Sequence, residues 1–152
     1  MYPREFFDTY WRTSLKRAIF VAMPFANEFT PVWEEAIKPA IEVDLVDAGN
    51  RFIAHRADVS KISDSIHTEI LDGIAHSTLV FGDISVMQTG DWMGQRNGNV
   101  MYEVGVAQTI RPATDIILVR SDTGRIMFDV SHIRIHEYDR NDLIVARLAG
   151  PW

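Results

Sequence analysis

The chain contains no cysteine, which removes disulfide scaffolds, thiolate metal sites and cysteine nucleophiles and is consistent with a reducing compartment. It has no segment approaching the roughly 20 apolar residues that span a bilayer. Its opening, Met1-Tyr-Pro-Arg-Glu-Phe-Phe-Asp8, holds no apolar core of signal-peptide length. A cytoplasmic location without membrane insertion is therefore expected. Basic runs are missing too: 15 Lys and Arg stand against 21 Asp and Glu, a net charge of −6 spread along the chain. That balance lacks the electrostatic footprint of a protein that grips nucleic acid, and it favours a small ligand or another protein as partner. No Gly-Lys-Ser or Gly-Lys-Thr of a phosphate-binding loop occurs, and no Gly-x-Ser-x-Gly elbow surrounds Ser85. The five histidines, His55, His67, His76, His132 and His136, offer no tight metal-ligand pair; only His132 and His136, four apart in an expected strand, share a side. No metal or cofactor is expected.

What is present reads as one α/β domain. A length of 152 residues with 47% hydrophobic content suits a single packed core. Short apolar runs alternate with helical periodicity, the pattern of a mostly parallel sheet covered by helices on both faces. After a short N-terminal helix around Arg4 to Lys16, Ala18 to Met23 predicts the first strand, ended by Pro24, which lacks a ladder donor. Val32, Ala36, Ile37, Ala40 and Ile41 repeat at helical spacing, with Pro39 implying a kink or a helix end near Lys38. Arg51 to His55 predicts a second strand. Ile62, Ile66, Ile70 and Ile74, with Leu71, predict an amphipathic helix capped by Ser60 or Ser63. Thr78 to Asp83 is a buried strand ending in an acid, and Ile84 to Gly98 is long enough to be a functional loop, a candidate lid carrying Trp92 and Met93. Asp115 to Val119 and His132 to Tyr138 complete five strands, and Asn141 to Leu148 suggests a last helix.

Candidate chemistry gathers where ligands bind in such folds, in the crevice outside the carboxyl ends of the strands. Glu103 falls in the expected first turn of the helix after the lid, where free backbone N–H groups favour an ionised carboxylate. Such a carboxylate can attack an anomeric carbon or stabilise an oxocarbenium-like transition state. Asp83, at a strand end, can hydrogen-bond a ribose hydroxyl, protonate a leaving base, or simply cap the next turn. Asn97 and Asn99 flank Gly98, and either can cap the Glu103 helix while the other faces ligand. Tyr102 and Trp92 can stack on a base or serve packing. Arg56 and Arg96, in expected loops near the crevice, are candidates for a phosphate contact.

The ordered pieces Phe20-Val-Ala-Met-Pro-Phe25, Arg56-Ala-Asp58, the Ile66-to-Ile74 helix, Leu79-Val-Phe-Gly-Asp-Ile84 and Asn97-Gly-Asn-Val-Met-Tyr-Glu-Val-Gly105 with Ala107 carry a resemblance spanning roughly residues 18 to 138. The chain resembles the nucleoside 2-deoxyribosyltransferase-like superfamily, which is similar in turn to bacterial TIR-like domains. The resemblance implies a flavodoxin-like three-layer sandwich, with Glu103 as nucleophile or cation stabiliser and Asp83 as a crevice acid. Met23, Pro24, Phe25, Arg56, Asp58, Asn97, Asn99 and Tyr102 would shape the pocket. It further implies cleavage of an N-glycosidic bond in NAD, a nucleoside or a nucleotide, and, from the TIR-like side, anti-phage defence and a homo-oligomer. The chain departs from the deoxyribosyltransferases six residues before the glutamate, where Asn97 replaces a second aspartate. A neutral amide cannot transfer that proton, which weakens transfer more than hydrolysis or ligand sensing without catalysis.

Overall fold

The computed structural model describes residues 14–47, 49–57, 66–126 and 134–148. Strands β1 (Lys16–Ala22), β4 (Ile53–His55), β5 (Ser77–Asp83), β6 (Ile116–Arg120) and β7 (Ile135–Glu137) form one sheet in the order β4-β1-β5-β6-β7. Every neighbouring pair in it is parallel. Counting only these strands, the order is 2-1-3-4-5, the flavodoxin-like winding, whose strand order reverses between β1 and its two neighbours. A short antiparallel ribbon, β2 (Val46–Asp47) with β3 (Asn50–Arg51), stands apart from the sheet. The expected second strand is thus divided: Arg51 belongs to the ribbon, and only Ile53–His55 joins the sheet.

Helices cover both faces, giving three layers. Along β1, residues alternate between two buried clusters. Ile19, Val21 and Met23 pack with Val32, Ile37 and Ile41, whereas Phe20 and Ala22 pack with Ile74, Val104 and Ala107. This period of two is what a strand buried on both faces requires. Helix α1 comprises two π-helical stretches, Val32–Ile37 and Ala40–Asp44. Pro39 neither ends nor breaks it. Its φ of −62° is already helical, and a wider turn directly before it, closed by the Lys38 N–H to the Trp33 carbonyl, accommodates the missing donor. On the other face lie α2 (Ile66–His76) and α3 (Gly98–Ile110), and α4 (Leu143–Leu148) packs on α1. Close contact between α3 and the sheet depends on Gly82. A Cβ there would lie 2.8 Å from Leu118 and 2.9 Å from Val104, inside any real contact distance.

The expected N-terminal helix lies almost wholly outside the described residues, as do Ser60, Ser63, Asp58 and His132. Among the described residues no helix is long and apolar enough to cross a membrane.

Candidate functional site

The carboxyl end of β1 delivers Met23, Pro24 and Phe25 to the point where the strand order reverses. Met23 is 2% exposed and belongs to the core, so it supports the loop from beneath. Phe25 turns outward and is 49% exposed. Directly after β4, the neighbour of β1, comes Arg56. Its guanidinium lies 3.9 Å from the centre of the Phe25 ring and 5.3 Å from that of Trp33 on α1, and its Nη2 donates to the Pro24 carbonyl at 2.9 Å. A guanidinium over aromatic faces is attracted by the negative face of each ring.

Glu103, on α3, lies near enough for the Arg56 charge to act on it. The helix is capped by Asn97, whose side-chain oxygen accepts from the N–H groups of Asn99 and Val100 at 3.0 and 3.2 Å. This settles which asparagine caps. It also places Glu103 in the second turn, one turn deeper than the sequence suggested, where the free N–H groups of the helix end no longer dominate. The expected ionisation is therefore corrected in sign. Glu103 is only 9% exposed, and burial pushes its pKa from 4.5 to about 7, with the nearby Arg56 charge opposing that rise. Its carboxyl accepts no hydrogen bond from any described residue. Its oxygens are not fully enclosed, so water or a ligand can reach them.

Asp83 behaves differently. It is wholly buried, and both its oxygens are engaged: Oδ1 accepts from the Ser85 N–H and hydroxyl, and Oδ2 accepts from the Tyr138 hydroxyl at 2.6 Å. Burial raises its pKa, while the bonds from Ser85 and Tyr138 and the charge of Arg140 work against the rise. The expectation that Asp83 faces ligand beside Glu103 is not met. The acid is instead the centre of an internal network in which Ser121 donates to Ser85 through its N–H and hydroxyl at 2.8 and 3.0 Å. Ser121 in turn accepts from Arg140. The sequence reading missed Ser85, Ser121, Tyr138 and Arg140 as partners. Tyr138 and Arg140 follow β7 and Ser121 follows β6, so the rule that polar groups gather at the carboxyl ends of parallel strands was the signal available.

The Ile84–Gly98 loop is pinned at its base and open at its tip. Val86 and Arg96 pair across it, and Arg96 donates to the Ile84 carbonyl and forms an ion pair with Asp122 at 3.1 Å. Arg96 is thereby held in the loop rather than offered to a phosphate. Gly90 and Gly94, with φ of 77° and 80°, turn the tip and leave Trp92 and Met93 65% and 68% exposed. One side of the loop is gripped by Glu28, which accepts from the N–H groups of Gln88 and Thr89 at 3.0 and 3.3 Å and pairs with Arg140 at 2.7 Å. Arg140 also donates to the Val86 carbonyl and covers the Phe29 ring at 4.1 Å.

Of the residues singled out in the sequence, Pro24, Phe25, Arg56 and Glu103 come together, with Trp33 added. Asn97 caps a helix, Asn99 is exposed, and Tyr102, 49% exposed, lies beside the His67 ring at 5.9 Å. Among the described residues no group of three or more His, Asp or Glu side chains could hold a metal. No family model matches the chain, and neither a curated protein nor a solved structure matches it significantly.

Proposed function

We propose that the crevice between the Pro24–Phe25 loop, Arg56 and α3 binds a nucleotide-like ligand and that Glu103 cleaves its N-glycosidic bond. The observation that carries this reading is Glu103 itself, a nearly buried carboxyl without a hydrogen-bond partner beside a fixed cation. With a pKa of about 7, roughly half of it is ionised at neutral pH. Such poise is costly to stability and useful to catalysis. In the proposed reaction a carboxylate oxygen attacks the anomeric carbon, or stabilises its developing positive charge, as the C–N bond breaks and its electron pair leaves with the base. Water then takes the sugar. Asp83 is committed to Ser85 and Tyr138, so no second described acid stands ready to protonate a leaving base. This favours NAD, whose cationic nicotinamide leaves as a neutral molecule and needs no proton. The resemblance to nucleoside 2-deoxyribosyltransferase-like and TIR-like proteins supports the same chemistry and extends it to anti-phage defence in a homo-oligomer.

A second reading is ligand sensing without catalysis. It is favoured by Asn97, which stands where an acid serves the transferases and is occupied with capping α3. The test separates the two: the protein and its Glu103→Gln variant are incubated, over a range of concentrations, with NAD and a panel of nucleosides and nucleotides, and released base is quantified by mass spectrometry. Release that depends on Glu103 is expected. Binding with no release from any candidate would replace catalysis by sensing.

A further inference from the structure

The first turn of α3 is built from residues that form helix poorly. It opens with Gly98 and Asn99, and glycine and asparagine both rank low in helix propensity. A Cβ at Gly98 would meet nothing within 4 Å, so the turn is not packed against the protein there. Asn97 and Asn99, two residues apart, are both suited to cap a helix, which gives α3 two alternative starting points. The structure uses Asn97. We propose that Arg96 and Asn97 are positioning residues for Glu103: the anchored arginine selects Asn97 over Asn99 as the cap and thereby keeps the end of α3 a full turn away from the carboxyl. The bearing of this arrangement on turnover rests on the reading of Glu103 as the reacting group, whereas its effect on the carboxyl does not.

Arg96 supplies the selection. Its backbone pairs with Val86, and Gln95 before it accepts from the Met87 N–H at 2.8 Å. Its nearly buried side chain bonds to Asp122 at 3.1 and 3.2 Å and donates to the Ile84 carbonyl. Asp122 is itself held by the Val86 and Gly124 N–H groups at 2.9 and 2.8 Å. The residue before Asn97 is thus fixed to the segments that follow β5 and β6. Asn97 arrives where its side-chain oxygen reaches the Asn99 and Val100 N–H groups, while its carbonyl accepts from Met101 at 3.0 Å. Counted from Gly98, Glu103 is then the sixth helical residue, beyond the free N–H groups of the helix end. With Asn99 as the cap it would be the fourth, counted from Val100, and those free N–H groups would lie within a turn of it and favour its ionised form. The selected start therefore preserves the effect of burial, which holds the Glu103 proton up to about pH 7. Among the described residues Arg56 is the charged group that acts on Glu103, and none of the substitutions below touches it.

The test reads the Glu103 carboxyl directly, by carbon-13 NMR titration of the full chain without ligand. Asn97→Ala should lower the Glu103 pKa by about 0.5 to 1 pH unit, the range of a helix end acting on a nearby carboxylate, as Asn99 takes over the cap. Amide exchange should speed up at Asn99 and Val100, which lose their acceptor. Asn97→Ser keeps a capping oxygen and should restore both. Asn99→Ala should leave the titration unchanged. Arg96→Gln should act like Asn97→Ala even though Asn97 remains, because the choice between the two caps is lost; should it fail to fold, Asp122→Asn removes the same ion pair and takes its place. A merely structural cap would lower the melting temperature and leave the pKa where it is. That result in Asn97→Ala or in the ion-pair variant, or a shift that Asn97→Ser does not rescue, would overturn the proposal. The two proposals fail separately. Absence of base release at any pH rejects cleavage and leaves the titration standing, whereas release whose rise with pH stays in place in Asn97→Ala rejects the positioning role alone.

Discussion

Replacing Glu103 with glutamine keeps the shape of the side chain and removes its charge, and burial makes the consequence depend on pH. The folded state holds the Glu103 proton up to about pH 7, whereas the ordinary value, which applies once the chain unfolds, is 4.5. Below 4.5 both states are protonated and the position contributes its full stability. As pH rises from 4.5 towards 7, the unfolded chain releases the proton first and stability falls by about 1.4 kcal/mol per pH unit. Above 7 both states are ionised, and the accumulated loss levels off at about 3 kcal/mol. Glu103→Gln has no such slope. The variant should therefore match the parent near pH 4.5 and exceed it by about 3 kcal/mol at pH 8, a melting difference on the order of 10 °C for a chain of this size. Urea and thermal denaturation of both proteins at pH 4.5, 6 and 8, at fixed ionic strength, measure the difference directly. Every other titrating group is common to the two chains and cancels. Parallel stability curves across this range would refute the claim that burial holds the Glu103 proton up to about pH 7, and with it the main support for its catalytic role.

Tyr138→Phe removes the donor at 2.6 Å from the wholly buried Asp83. It should cost about 1–3 kcal/mol, the penalty of an orphaned buried acceptor, seen as a lower urea midpoint with an unchanged slope; an unaltered midpoint would mean that Asp83 does not depend on this network. Arg140→Ala breaks the link from Glu28 to Val86 and Ser121. Hydrogen exchange should then speed up at Gln88 and Thr89, whose N–H groups Glu28 holds, and stay slow in β5. Unchanged exchange at those two amides would show that Glu28 grips the loop without help from Arg140.

The architecture was legible because it rests on periodicity. Alternation along Ala18 to Met23 and four-residue spacing of isoleucines up to Ile74 reflect faces that must be buried; β1 formed near its expected bounds, and α2 ends just after Ile74. The ribbon that takes Arg51 and the passage of α1 through Pro39 were not legible, because each depends on how tertiary contacts settle a locally ambiguous backbone. Of the residues assigned to the pocket, Pro24, Phe25 and Arg56 are in contact with one another. Trp33 and Arg140 went unnoticed since each reaches its partners across many intervening residues.

Glu103 and Asp83 show why position alone could not assign roles. Both were placed at the carboxyl ends of the sheet by the same rule, both are buried, and burial raises the pKa of both. Hydrogen-bond accounting separates them. Asp83 has three donors and a nearby Arg140, so its burial is explained from within the protein, and its effect is to bind the segments after β5, β6 and β7 to one another. Glu103 has the charge of Arg56 nearby but no hydrogen-bond donor among the described residues, and its oxygens stay reachable from outside. An acid of the first kind stabilises a scaffold, and one of the second kind lowers stability unless something binds to it. The cap at Asn97 decides which kind Glu103 becomes. By starting α3 at Gly98 it carries the carboxyl one turn past the stabilising helix end, where burial raises its pKa and the Arg56 charge opposes the rise.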